Sequence, residues 1–489
     1  MSDQSDPFRT SGTPNRISRR TWLKVAGAGG LTALAGCSSS DDQESEQGGS
    51  EQQGTAQSTS ASGDGDLSNT TATYWNTINV QSESAKSASK NIVDTVQSNT
   101  GASIKTNFST VSDLIGAKWK TSFRSGNYPV IFDSVVGWAG PFMQNGYVLP
   151  FSEYKDKLDQ DALENIQWLT DKLEYTYRGY RKDLYEIPYG LNVQTGMVGR
   201  MDHFEEAGLS PEDDFPPDDF EHLVEVAQTL QKDGPAKHGF SSFGQSSDSF
   251  DEHILAWSVA DGGKKGVYLN EDWTKGRLTN DSWMTAGRNY IETYTEHDLG
   301  PTDTPSISTE KYLTRLANGR ASMSSSGFLN LPLLKKRAPD LVKNGTIKWA
   351  PNWKGESGSR GCTAPYTLAL TRKPETANKD TWEKRQQVGV ELMNQFLSKE
   401  VQRKMFTQFG LFPVRKDVWS DLPIGERPDN YLSSFKTMAE EGGPAWSAHP
   451  VSLELIINIA PPHIQSALKG QISPEQAMRN IQKDTNARL

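Results

Sequence analysis

Beyond Thr71 the chain alternates short β-prone runs with stretches of helical period. Thr73-Tyr74-Trp75 and Val130-Ile131-Phe132 are strand-like runs that each stop at polar or small residues, and Thr367-Leu368-Ala369-Leu370 reads the same way. The spacing predicts a helix opened by Pro216-Pro217-Asp218-Asp219, with Phe220, Leu223, Val224, Ala227 and Leu230 on its apolar face and Gly234 at its end. A second starts at Asp380 and Glu383 and carries Val388, Leu392 and Phe396 at i+4 steps; a third carries Val401 and Met405. These stripes are core positions and are assigned no chemistry. Strands alternating with helices argue for an α/β protein with mainly parallel sheets. In open sheets of that kind a ligand lies in the crevice at the carboxyl ends of the strands, which makes Trp75, Asp133 and Ser134 candidates. Asp133 has a second reading, as the cap of the helix that follows.

The residues before Thr71 lack this alternation. Ser18-Arg19-Arg20-Thr21-Trp22-Leu23-Lys24 precedes about a dozen small or apolar residues without charge, the layout of an export signal too short to span a bilayer. The pair Arg19 and Arg20, followed by an aromatic, Leu and Lys, resembles the twin-arginine signal. Leu34-Ala35-Gly36-Cys37 resembles a lipobox, in which cleavage before Cys37 frees that residue for lipid attachment. Residues 1–36 are therefore expected to be a lipoprotein signal. Residues 37–70 follow as a tether of Ser, Gly, Gln, Thr and acids, with Leu67 as its only large aliphatic. As a self-repelling coil this segment reaches roughly 30 Å or more.

Composition narrows the function. Among 489 residues, 51 Lys plus Arg stand against 61 Asp plus Glu, a net charge of −10. Removing the signal leaves 46 bases against 59 acids, a net charge of −13. That balance, without a dense basic stripe, argues against nucleic-acid binding. No run of about 18 apolar residues is present to span a membrane. Two cysteines, Cys37 and Cys362, make neither a disulfide framework nor a multi-cysteine metal site, and Cys362 reads as a small buried residue. The seven histidines form no metal-ligand spacing, so no metal and no cofactor is expected. The chain lacks a Gly-x-Ser-x-Gly elbow, a His-Glu-x-x-His, a Walker loop and a dinucleotide fingerprint, which argues against an enzyme. Asn69, Asn107, Asn280 and Asn344 sit in glycosylation sequons, acceptors only in a host that glycosylates exported proteins.

Several segments occur in a telling order: Gly126-Asn127-Tyr128-Pro129-Val130-Ile131, Ile187-Pro188-Tyr189, His203-Phe204-Glu205-Glu206-Ala207-Gly208-Leu209 before Pro216-Pro217-Asp218, Asn318-Gly319-Arg320-Ala321-Ser322-Met323 before Gly327, and Phe396 to Gln402 before Gly410 and Pro413-Val414-Arg415. Through these landmarks nearly the whole mature chain resembles the extracellular solute-binding proteins of carbohydrate-type ABC importers, the family that includes maltose-binding protein. The chain departs from the family pattern at Val130, where Asp is usual, at Val198-Gly199, where many members have Tyr-Asn, and at Leu329, where some have Trp.

The resemblance implies a two-lobed periplasmic-binding-protein-like fold of type II, with the ligand crevice between lobes. It places lobe 1 at 71–187 plus 363–413 and lobe 2 at 188–362 plus 414–489. It implies a monomeric, lipid-anchored receptor on the outer face of the cell membrane, which closes on a sugar, oligosaccharide or polyol and delivers it to the permease subunits of an importer. A sugar site wants flat aromatics for ring faces and polar groups for hydroxyls. Trp75 and Trp138, after first-lobe strands, and Tyr189, beside the hinge, suit that need. Trp257, Phe328 and Trp446 lie on segments that the family turns toward the crevice. For each tryptophan ordinary core packing is the competing reading. Arg360, in the turn Gly358-Ser359-Arg360-Gly361, would favour an anion such as a phosphorylated polyol, whereas stacked tryptophans favour a neutral sugar. A surface hydrolase of glycosides or esters is the alternative from another class.

Overall fold

The computed structural model describes residues 66–77, 83–109, 117–177, 183–193, 196–244, 250–263, 267–327, 330–424, 431–444 and 446–489. Arg19, Arg20, Cys37, most of the tether and Phe328 lie outside the described residues.

The first sheet is built from β1 (Thr71–Asn76), β2 (Ser103–Phe108), β3 (Ile131–Val135), β4 (Ile187–Val193), β9 (Cys362–Leu370) and β10 (Gly443–Pro444). The second is built from β5 (Gly196–Arg200), β6 (His238–Phe240), β7 (Ala321–Ser326) and β8 (Ile347–Pro351), in the order β6-β7-β5-β8. Helical crossovers over Glu83–Thr100 and Ala117–Arg124 return the chain so that β2 and β3 both lie parallel to β1. β9 arrives from the second sheet and inserts between β3 and β4, antiparallel to both. β5 is likewise antiparallel to β7 and β8. The sheets are therefore mixed, not mainly parallel as the strand–helix alternation suggests: direct entry from the other lobe does not impose the parallel direction that a crossover does.

Around these sheets the helices form two lobes that share one continuous buried cluster. The predicted helices are present. Phe220–Asp233 is capped by Asp219, whose carboxylate accepts from the His222 amide at 2.8 Å, so the prolines stand upstream of the helix. Leu223, Val226, Ala227 and Leu230 are buried, with Phe220 and Val224 at the edge. Lys379–Leu397 starts at Asn378, which caps the Thr381 amide at 3.0 Å, and buries Val388, Leu392 and Phe396. Lys399–Phe409 buries Val401 and Met405 and ends on Gly410 at φ 70°, the left-handed cap conformation glycine adopts freely.

β4 remains in the first sheet as far as Val193, past the crossing expected at 187. Much of 414–444 packs on the first lobe: β10 pairs with β9, Trp419 lies 5.3 Å from Trp168, and Arg415 donates to Asp161 and Asp417. A buried guanidinium needs carboxylates, and Asp161 of the first lobe supplies one. Leu67, within the expected tether, is buried in the core, because the one large aliphatic of a polar segment gains most by leaving water.

Candidate functional site

The carboxyl ends of β1 and β3 lie side by side, and the polar residues there bind one another. Asp133 is buried; its Oδ1 accepts from the Thr77 amide at 2.6 Å and the Thr77 hydroxyl at 2.8 Å. Ser134 is also buried and donates to the Val135 carbonyl at 3.1 Å. The Thr367 hydroxyl contacts both the Ser134 carbonyl, at 3.2 Å, and Glu186 Oε1, at 2.8 Å. Glu186, a buried carboxylate that the sequence does not single out, accepts from the Gly137 amide at 3.1 Å with its other oxygen. Half-buried Trp75 meets Trp119 edge-on at 4.8 Å. Half-buried Trp138 has an indole N–H without a hydrogen-bond partner among the described residues.

The remaining expected residues, Phe328 aside, fall in four places. Trp446 is fully buried 6.3 Å from Tyr268 of the second lobe, and a side chain added at Gly137 would meet its Cβ at 3.3 Å, so it sits where the lobes touch. Tyr189 is in the first-lobe core, 4.9 Å from Phe396. Trp257 is in the second-lobe core, 5.0 Å from Trp353 and 5.9 Å from His253. Arg360 is occupied: its Nε donates to Glu441 at 2.7 Å and its Nη1 to the Asn352 carbonyl at 3.0 Å. The structure thus brings Trp75, Asp133, Ser134, Trp138 and Trp446 to one region and leaves Tyr189, Trp257 and Arg360 in packing or bracing positions.

A cavity of about 470 Å³ opens next to that region. Its first-lobe wall is the Ala117–Arg124 helix and the Gly140–Gln144 helix, through Phe123, Phe142 and then Tyr147. Its second-lobe wall is the segment from Pro450 to Asn458, through Leu453 and Ile457. None of the described expected residues lines it; Trp75 stands behind it, 6.3 Å from Phe123. The second wall includes a π-helical turn, Leu455–Ile459. Pro461 and Pro462 withhold the amides that an α-helix would aim at the carbonyls of Ile457 and Asn458, and the turn before them widens, Ala460 donating to the Leu455 carbonyl. Such turns concentrate at functional sites. A mixed apolar and aromatic wall with polar groups at the rim suits a small organic solute. Among the described residues no cluster of His, Cys, Asp or Glu could hold a metal ion, and no helix is long and apolar enough to cross a membrane.

The sequence profile of a family described as bacterial extracellular solute-binding protein matches residues 91–426. Solved structures share the fold. An ABC transporter solute binding protein from Thermotoga lettingae, bound with α-D-tagatose, superposes with a TM-score of 0.66 at 18% identity, over 86% of this chain and 99% of that one. The cyclic α-maltosyl-1,6-maltose binding protein from Arthrobacter globiformis gives 0.69 at 16% identity, over 86% and 98%. Maltose-bound MalE3 of T. maritima gives 0.66 at 17%, over 86% and 100%.

Proposed function

Because the chain belongs to the bacterial extracellular solute-binding proteins, we propose that it captures a sugar or oligosaccharide between its lobes and hands it to the permease of an ABC importer. The observation that carries this reading is the cavity with one wall from each lobe, in a fold shared with proteins solved with tagatose and maltose. A solute touching both walls stabilises the closed arrangement over the open one, and that difference is what the permease reads. The protein works as a monomer, exported by the Arg19-Arg20 signal and held at the membrane by lipid on Cys37. It transforms nothing: the residues at the strand ends are bonded to one another, as Asp133 is to Thr77, and the family is one of binding proteins.

A thermal-shift screen of the exported chain against mono- and oligosaccharides tests this. A true ligand at 100 times its dissociation constant adds about 2.7 kcal/mol of stability. No shift with any saccharide, or measurable hydrolysis of glycosides that one substitution abolishes, would overturn the reading.

A further inference from the structure

The cavity's lining carries two cations and one carboxylate. Lys120 and Arg124 lie on its first-lobe wall, one helical turn apart and exposed, and neither has a carboxylate partner among the described residues. Two like charges at i and i+4 weaken a helix, and this chain has an excess of acids with which to neutralise them. The cavity's one carboxylate, Glu454, is engaged by Arg488 instead. Below the cations the accessible apolar lining is half-buried Tyr147 and Ile457, backed by the buried side chains of Phe123, Phe142 and Leu453. We infer that the solute is an acidic saccharide, whose ring packs on this apolar floor while its carboxylate or phosphate meets Lys120 and Arg124. This rests on the reading of the cavity as the solute site. It moves the anion-recognising role from Arg360, which is spent on Glu441, to a helix of the other lobe.

The test is calorimetric titration of the exported chain with three matched series: neutral hexose oligosaccharides, hexuronic-acid oligosaccharides and hexose phosphates. At low salt one charged series binds at least about tenfold tighter than the neutral one, as charge-assisted contacts require. Raising the salt erodes the preference. The charged series that wins identifies the anionic group. In Lys120→Gln/Arg124→Gln the charged-to-neutral ratio collapses toward one while the melting temperature without solute holds, since both side chains are exposed. Neutral saccharides binding as tightly as either charged series, or a preference that survives the double substitution, would overturn the inference and leave the sugar-receptor reading standing. Failure of all three series to bind would overturn both.

Discussion

Asp133 shows how a residue can be well placed in sequence and differently employed in the fold. It stands at a strand's carboxyl end, where a ligand contact is expected, yet its Oδ1 takes both the amide and the hydroxyl of Thr77. Asp133→Ala leaves the buried Thr77 amide without its acceptor and the hydroxyl with only the Asp133 carbonyl at 3.4 Å, and should cost about 1–3 kcal/mol in urea denaturation. Unchanged stability with lost solute binding would return Asp133 to the ligand. His253 poses the opposite problem. Among the described residues neither ring nitrogen has a partner inside an aromatic box of Phe243, Tyr290 and Trp257, and burial holds the imidazole down to about 3. The folded-state value lies below the unfolded one, so its contribution is fully present above about pH 6.5 and is lost as pH falls toward 3, by at most about 1.4 kcal/mol per pH unit. His253→Phe should therefore lessen the loss of stability between pH 7 and pH 4 relative to the unsubstituted protein, as read from denaturation midpoints at each pH. An identical slope in both would show that His253 is not the group responsible.

At the level of elements, what the sequence exposes is whatever depends on local period. The helices carrying Leu223, Leu392 and Met405 follow from apolar spacing alone, and so do the cores of β1 and β3. β9 runs from Cys362 through Pro365 to Leu370, longer than the Thr367–Leu370 run, because a proline argues against a central strand and only tertiary pairing with β3 and β4 overrides it. Close approach of two backbones is also invisible to periodicity. A Cβ built on Gly140 would lie 2.4 Å from the Ala448 carbonyl oxygen, whereas one on Gly208, at φ 76°, meets no atom of the described residues within 4 Å. Both changes to alanine carry a cost: Gly208→Ala through backbone strain of about 1 kcal/mol, Gly140→Ala through displacement of a helix that lines the cavity, about 1–3 kcal/mol. Melting temperature should fall in both, and solute affinity should fall only in Gly140→Ala. Equal affinities would mean that this contact does not set the cavity's shape.

For the molecule as a whole, the cavity joins a helix near the beginning of the described chain to a turn near its end, and no local pattern relates Phe123 to Ile457. Trp75, which the sequence offers as a candidate, stands behind one wall, 6.3 Å from Phe123, and the walls themselves come from segments that periodicity does not pair. That two-walled geometry sets the last expectation. If the solute lies between Tyr147 and Ile457, it contributes binding energy to the closed arrangement that the open one forgoes, and small-angle scattering should show a smaller radius of gyration at saturation. Ile457 is half-buried, so Ile457→Trp adds bulk into the cavity without disturbing the core behind it. The substituted protein should melt at the same temperature without solute, bind it at least about tenfold more weakly, and show no compaction at a concentration that saturates the unsubstituted protein. Retained affinity with retained compaction would place the solute elsewhere between the lobes. Retained affinity without compaction would separate capture from closure and remove the basis on which a permease could tell the loaded receptor from the empty one.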